Sequence, residues 1–95
     1  MLKINKYEFD YPIKIRVSPE NRIKIQKILF KNNCKWIFNE KKVITAYIDF
    51  IFIALNGYMS YLTKIDEDEF INAKGIEVSE NIFLKKTLKS LIEGD

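Results

Sequence analysis

Four sets of residues in this chain carry side chains able to do chemistry. Cys34 is the one thiol. Asp66, Glu67, Asp68 and Glu69 form a run of carboxylates, whose oxygens suit a hard cation such as Mg²⁺ or Ca²⁺. Lys24, Lys27, Lys31 and Lys35, with Arg22 beside them, form a spaced cationic series that would give salt-dependent, sequence-independent attraction to phosphate. Trp36, Tyr58 and Tyr61 are aromatics able to stack on exposed bases.

Each set has a plainer structural reading. Cys34 follows a helix C-terminal signal, where the dipole disfavours a thiolate, and the chain has no histidine to activate it. It reads as a buried structural cysteine. The acidic run lacks the glycine and distal glutamate of an EF-hand, so it reads as a solvated acidic turn and no metal is assigned to it. It could also engage a basic partner surface, although four charges are too few to imitate a nucleic-acid duplex. The lysines read first as a solvated helix face, and Trp36 with the Phe/Tyr set as core. Even so, the lysine stripe, with Lys14, Arg16, Lys41 and Lys42 nearby, is the best candidate for a functional surface. No Gly-rich phosphate loop or recognised RNA-binding motif accompanies it.

Composition narrows the classes further. A chain of 95 residues is expected to form a single domain spanning 1–95. Apolar residues make up 47% of it and aromatics 14%, enough for a core without staples. One cysteine excludes an intramolecular disulfide, and without histidine a conventional zinc site or histidine acid–base catalysis is not expected. The reading is therefore non-enzymatic, with no cofactor, in a reducing cytoplasmic setting. The N-terminal stretch has no secretory signal pattern. Residues 1–45 carry 11 Lys/Arg against 4 Asp/Glu, and residues 46–95 carry 5 against 9. Such asymmetry can mark a nucleic-acid or acidic-protein partner, but AT-rich codon bias accounts for it first. The apolar stretch from Val43 to Leu62 is interrupted by Asp49 and Asn56-Gly57 and rich in β-branched and aromatic residues. It reads as a hairpin, and no membrane association is expected.

The elements that must position these groups can be read along the chain. Ile13, Ile15 and Val17 alternate with Lys14 and Arg16, which predicts a half-buried strand from Tyr11 to Val17. Pro12 places it at an edge or at its own start. Ser18-Pro19 is a helix start, with the serine hydroxyl expected to accept from first-turn amides. On the helix that follows, Lys24, Lys27, Lys31 and Lys35 fall in a stripe about 80° wide. Ile25, Leu29, Phe30 and Ile23 form the apolar arc, and Ile28 is expected to be half covered. Gln26 lies inside that arc and needs a hydrogen-bond partner if buried. Asn32-Asn33 suits the C-terminal cap.

Cys34 to Phe38 reads as a short strand, turned at Asn39 to Lys42, with Val43 to Ile48 pairing back onto it. Asn56-Gly57 predicts a type I′ hairpin in which Leu55 faces Tyr58, Ile53 faces Ser60 and Ile51 faces Leu62. Both hairpin faces are apolar, so the hairpin is either covered on both sides or keeps one face for a partner. A short helix or loop at the acidic run, a strand at Ile76 to Val78 and a helix capped by Ser79 and running to about Ile92 complete the chain. The fold class is α+β: a mainly antiparallel sheet with an amphipathic helix after the first strand and a C-terminal helix.

The run Ile25-Gln26, Leu29-Phe30, Cys34, Trp36 resembles a pattern in small uncharacterised phage and prophage proteins. Those have a strand, a helix bearing Val/Ile-Gln and Leu-Phe, a Gly-Cys or similar turn, and a tryptophan. Short strands, a Phe-Asn segment and a closing strand follow, which Phe70, Asn72, Gly75, Ile76 and Val78 match. The resemblance covers roughly Ile13 to Val78; this chain departs from it in Asn33 before Cys34 and in a longer final helix. It implies a phage accessory protein, of a type often acting on the host in anti-defence or host takeover, and carries over no catalytic residues.

Two functional classes are consistent with these readings. The first is a small inhibitor or adaptor binding a host protein. The second is a nucleic-acid-binding regulator using the lysine stripe, and sequestration of a nucleotide signal is a further option that requires a pocket. Homodimerisation through a hairpin edge or the Tyr58/Tyr61 region is open to either class.

Overall fold

Period-two alternation in short β-branched runs builds the sheet, and one period-3.6 run builds the helix that covers it. The computed structural model describes residues 2–4, 7–38, 41–45 and 47–84. In chain order the elements are β1 (Leu2–Ile4), β2 (Tyr7–Phe9), β3 (Ile13–Arg16), a 3₁₀ turn (Pro19–Asn21), α1 (Arg22–Lys31), β4 (Lys35–Trp36), β5 (Phe50–Ile53), β6 (Tyr58–Leu62), a second 3₁₀ turn (Lys64–Asp66), α2 (Glu67–Asn72) and β7 (Ile76–Glu77). Residues 80–84 are again helical. The fold is α+β, as the sequence predicts. The expected turn at Asn39-Glu40 and the final helix beyond Leu84 lie outside the described residues.

Five strands form a mixed sheet in the order β4-β6-β5-β3-β7. The inner pairs, β3–β5 and β5–β6, are antiparallel, whereas β4 and β7 join the edges in parallel. A separate antiparallel ribbon, β1–β2, precedes them. The helix α1 therefore follows the third strand of the chain rather than the first. The described residues of Val43 to Ile48 form no strand and do not pair back onto β4 as expected; the partner of β4 is β6.

Helix α1 begins near the expected position, though its start is built differently. Ser18 is extended, with Pro19 directly after it, but its hydroxyl makes no capping bond. It donates instead to Glu80 Oε1 at 2.9 Å and accepts from Asn21 Nδ2 at 2.9 Å. The Ser18 amide also donates to the Glu80 carboxylate, tying the start of the first helix to that of the last. Ser79 caps that last helix as predicted, accepting from the Asn81 amide. At the other end of α1, Asn33 takes the left-handed conformation (φ 65°). The Cys34 amide donates back to Leu29 O and the Asn33 amide to Phe30 O, the paired bonds of a Schellman ending.

The hairpin β5–β6 differs from its prediction by one residue. Observed partners are Ile53 with Met59, Phe52 with Ser60, Ile51 with Tyr61 and Phe50 with Leu62. Of the two turn residues only Gly57 has positive φ (89°), so a type I′ turn cannot form. The loop closes over three residues, with Ala54 N–H donating to Tyr58 O and Gly57 N–H to Ala54 O, both at 2.9 Å. A one-residue slip exchanges the faces of every side chain on one strand relative to the other. Because both faces of this hairpin are apolar, alternation alone does not discriminate between the two registers. The observed one places Met59 and Tyr61 beside Ile51 and Ile53.

That shared face is the core. Ile13, Ile15, Ile25, Leu29, Cys34, Trp36, Ile51, Ile53 and Met59 form one buried cluster joining the sheet to α1, and Ile4, Ile48, Val78 and Phe83 close its margins. Ile28 is buried, at 8% exposure, while Ile23 is left 44% exposed, the reverse of the expected order. Gln26, fully buried, finds partners at Ile44 and Arg22, which meets the need predicted for it.

Candidate functional site

The alternation that sends Ile13 and Ile15 into the core turns Lys14 and Arg16 to the opposite, outer face of the sheet. Part of that face is covered by α2. Phe70 stacks on Phe50 with centroids 4.4 Å apart and tilts against Phe52 at 5.7 Å. Lys14, only 7% exposed, fastens the helix from below. Its Nζ donates to Phe70 O at 2.8 Å, Ile71 O at 3.1 Å and Ala73 O at 3.0 Å. An ammonium has three donors, and all three are satisfied here by carbonyls at a helix C-terminus, where the dipole favours a cation.

Beyond α2 the outer face is open. A groove of about 300 Å³ crosses the sheet there, lined by Pro12, Ile37, Phe52, Ala54, Tyr58 and Lys74 among others. Ile37 at its rim is 66% exposed and Tyr58 is 39% exposed. The lining contains one cation, Lys74, and no acidic residue. At the β4 end, Lys35 Nζ sits 5.0 Å from the centre of the Tyr58 ring, a cation–π contact.

The predicted site residues separate onto distinct surfaces. Lys24, Lys27 and Lys31 are exposed on the side of α1 away from the sheet. Lys35 does not continue their stripe: α1 ends at Lys31, the left-handed Asn33 redirects the chain, and Lys35 emerges on β4 beside Tyr58. Arg22 belongs to the scaffold. Its Nε donates to Ile48 O at 2.8 Å, and it lies 3.6 Å from Asp49 Oδ1. Tyr61 is half-buried on the core face, edge-on to Trp36 at 5.6 Å.

In the acidic run, Glu67 pairs with Arg16 at 2.9 Å and Asp66 accepts from the Thr63 hydroxyl, while Asp68 and Glu69 are exposed. Hydrogen bonding to Glu67 leads the causes that push the Arg16 pKa above its ordinary value, with the charge of Glu77 adding to it. Among the described residues, no three Cys, Asp or Glu side chains are grouped to hold an ion.

Cys34 is fully buried. Burial pushes its thiol up to about 11, against a smaller downward pull from Lys41, so it is a neutral thiol near pH 7. The indole Nε1 of Trp36 is also buried and has no hydrogen-bond partner among the described residues. No helix among the described residues is long and apolar enough to cross a membrane.

Of the groove residues, only Tyr58 is singled out as a site residue by the sequence, as is Lys35 beside it outside the lining. Pro12, Ile37, Phe52 and Lys74 were not, because they come from four separate segments that meet only in the folded sheet. The available signal was the second apolar face of the hairpin. In comparison with known proteins, no family model, curated protein or solved structure matches the chain.

Proposed function

We propose that this protein is a small non-enzymatic binding module that docks on a protein partner through the outer face of its sheet. The open groove beyond α2 carries this reading: an apolar floor with an aromatic wall, rimmed by exposed Ile37 and Tyr58. Interfaces concentrate aromatic and aliphatic anchors within a polar rim in this way. The chemistry of Cys34 supports a non-catalytic role, since a buried, protonated thiol is a poor nucleophile. The resemblance of Ile13–Val78 to phage accessory proteins supports a phage-encoded inhibitor or adaptor acting on a host protein in the host cytoplasm.

A tagged pull-down from a bacterial host, run in parallel with wild type and Tyr58→Asp, tests this. The expected result is one discrete host protein retained by wild type and lost by the variant at physiological salt. Repeated recovery of none, or of the same protein by both, would overturn it.

One observation favours a second reading. Lys24, Lys27 and Lys31 are exposed and form no ion pair with a described residue, so they are available to phosphate. Nanomolar nucleic-acid binding at physiological salt, abolished by changing these three to glutamate, would put that reading first.

A further inference from the structure

Resting on the groove as the docking surface, we infer that its occupant is a short partner segment with apolar side chains at its centre and carboxylates at both ends. The groove runs across the sheet rather than along it. From one end to the other it passes Lys74 before β7, Pro12 at the start of β3, Phe52 on β5, Tyr58 and Ser60 on β6, and Ile37 just after β4. The strand order places β4 and β7 four interstrand steps apart. At about 4.8 Å per step the span is about 19 Å, the reach of about six extended residues at about 3.3 Å each.

Charge completes the specification. Lys74 lines one end of the groove, and Lys35, just outside the lining, sits over the ring of Tyr58 toward the other. Neither forms an ion pair with a described residue. The carboxylates of Glu67 and Glu77, on the same face, are already engaged by Arg16, and none lines the groove. An apolar trough with a cation at one end and another just beyond the other, neither paired with a described carboxylate, is matched by an apolar segment with an acid at each end. A basic segment would meet like charge at both ends and leave its own cations unpaired.

Selection of random short peptides by yeast display against the full chain tests the occupant directly. Enriched peptides are expected to share an aromatic or aliphatic centre flanked by Asp or Glu. Their affinity should fall about tenfold for either Lys35→Glu or Lys74→Glu, close to the loss of one favourable charge pair. Lys24→Glu, on the far side of α1, should leave it unchanged. Peptides with Lys in place of the flanking acids should bind the double variant Lys35→Glu/Lys74→Glu better than wild type. Circular dichroism of each variant checks that it folds.

Failure to enrich any peptide, enrichment without acidic flanks, or affinity indifferent to both reversals would overturn the inference. So would self-association of the free chain that Tyr58→Asp abolishes, which would give the groove to a second copy. If a host protein is still captured and lost by Tyr58→Asp but is insensitive to both lysine reversals, the acidic segment is wrong and the docking face stands. Capture that Tyr58→Asp does not affect removes both.

Discussion

The side-chain amide of Gln26 and the main chain of Ile44 exchange two hydrogen bonds, Nε2 to Ile44 O at 2.8 Å and Ile44 N–H to Oε1 at 2.7 Å. A primary amide has the donor and acceptor of a peptide group, so Gln26 serves segment 42–45 as a neighbouring strand would. That segment has no ladder partner of its own, and Gln26 supplies one from inside the helix. The Gln26 Nε2 also donates to Arg22 O at 3.2 Å.

Gln26→Leu keeps the apolar arc but leaves the Ile44 amide and carbonyl without their partner. We expect a loss of about 2–3 kcal/mol in urea denaturation, near the cost of stranding two polar groups away from water. A loss under about 0.5 kcal/mol, within the range of ordinary surface changes, would show that the pair does not hold the segment.

Lys14→Met removes the ammonium that gathers three carbonyls at the end of α2 while keeping most of the buried stem. The expected cost is about 2 kcal/mol, typical of hydrogen bonds to a charged group. Hydrogen exchange should localise the effect, with amides of residues 67–72 losing protection ahead of β3 and β5. Uniform exchange across the chain would argue against a specific attachment of α2.

Asn33 and Gly57 are coupled through backbone geometry, since a Cβ on Gly57 would lie 3.0 Å from Asn33 O. Gly57 also sits at φ 89°. Gly57→Ala should therefore cost more than about 1 kcal/mol, combining left-handed strain with the close approach. Asn33→Ala should cost about 1 kcal/mol through the same strain at φ 65°, whereas Asn33→Gly should stay within about 0.5 kcal/mol of wild type. Thermal melts of the three variants give the ordering, and equal losses at Asn33→Ala and Asn33→Gly would contradict it.

Cys34 sets an alkaline limit. Its thiol is raised from 9.0 to about 11 in the folded chain, so between those values the folded state holds a proton that the unfolded state has released. Stability then falls as pH rises through that window, and the contribution is fully present below about pH 9. Cys34→Ala should flatten this part of the stability–pH curve relative to wild type. At pH 8 iodoacetamide should label the native chain slowly and the unfolded chain quickly. An equal rate in both states would rule out a buried thiol.

Much of the first half was legible because its signals are local. Ser18-Pro19 and Asn32-Asn33 bracket α1, and Ile13, Ile15 and Val17 announce a core-facing strand, each within a few neighbouring positions. The buried Trp36 and Cys34 followed from residue type. The N-terminal ribbon was less legible, since two three-residue strands leave too short a pattern to separate from loop. The hairpin register was undetermined because apolar residues occupy both faces.

The sequence by itself determined the approximate position of α1, its C-terminal cap at Asn33, the core face of β3 and the α+β class, because these signals lie between residues close along the chain. Ser18 at the helix start, by contrast, is held by the distant Glu80. The tertiary structure decided how residues distant in sequence meet. Lys14 reaches Phe70 across 56 positions, and Gln26 reaches Ile44 across 18. It also decided that Lys35 leaves the lysine stripe for Tyr58 and that Pro12, Ile37, Phe52 and Lys74 share one groove. Such pairings depend on strand order and register. Those are set by which faces can be buried together, and no single segment contains that information.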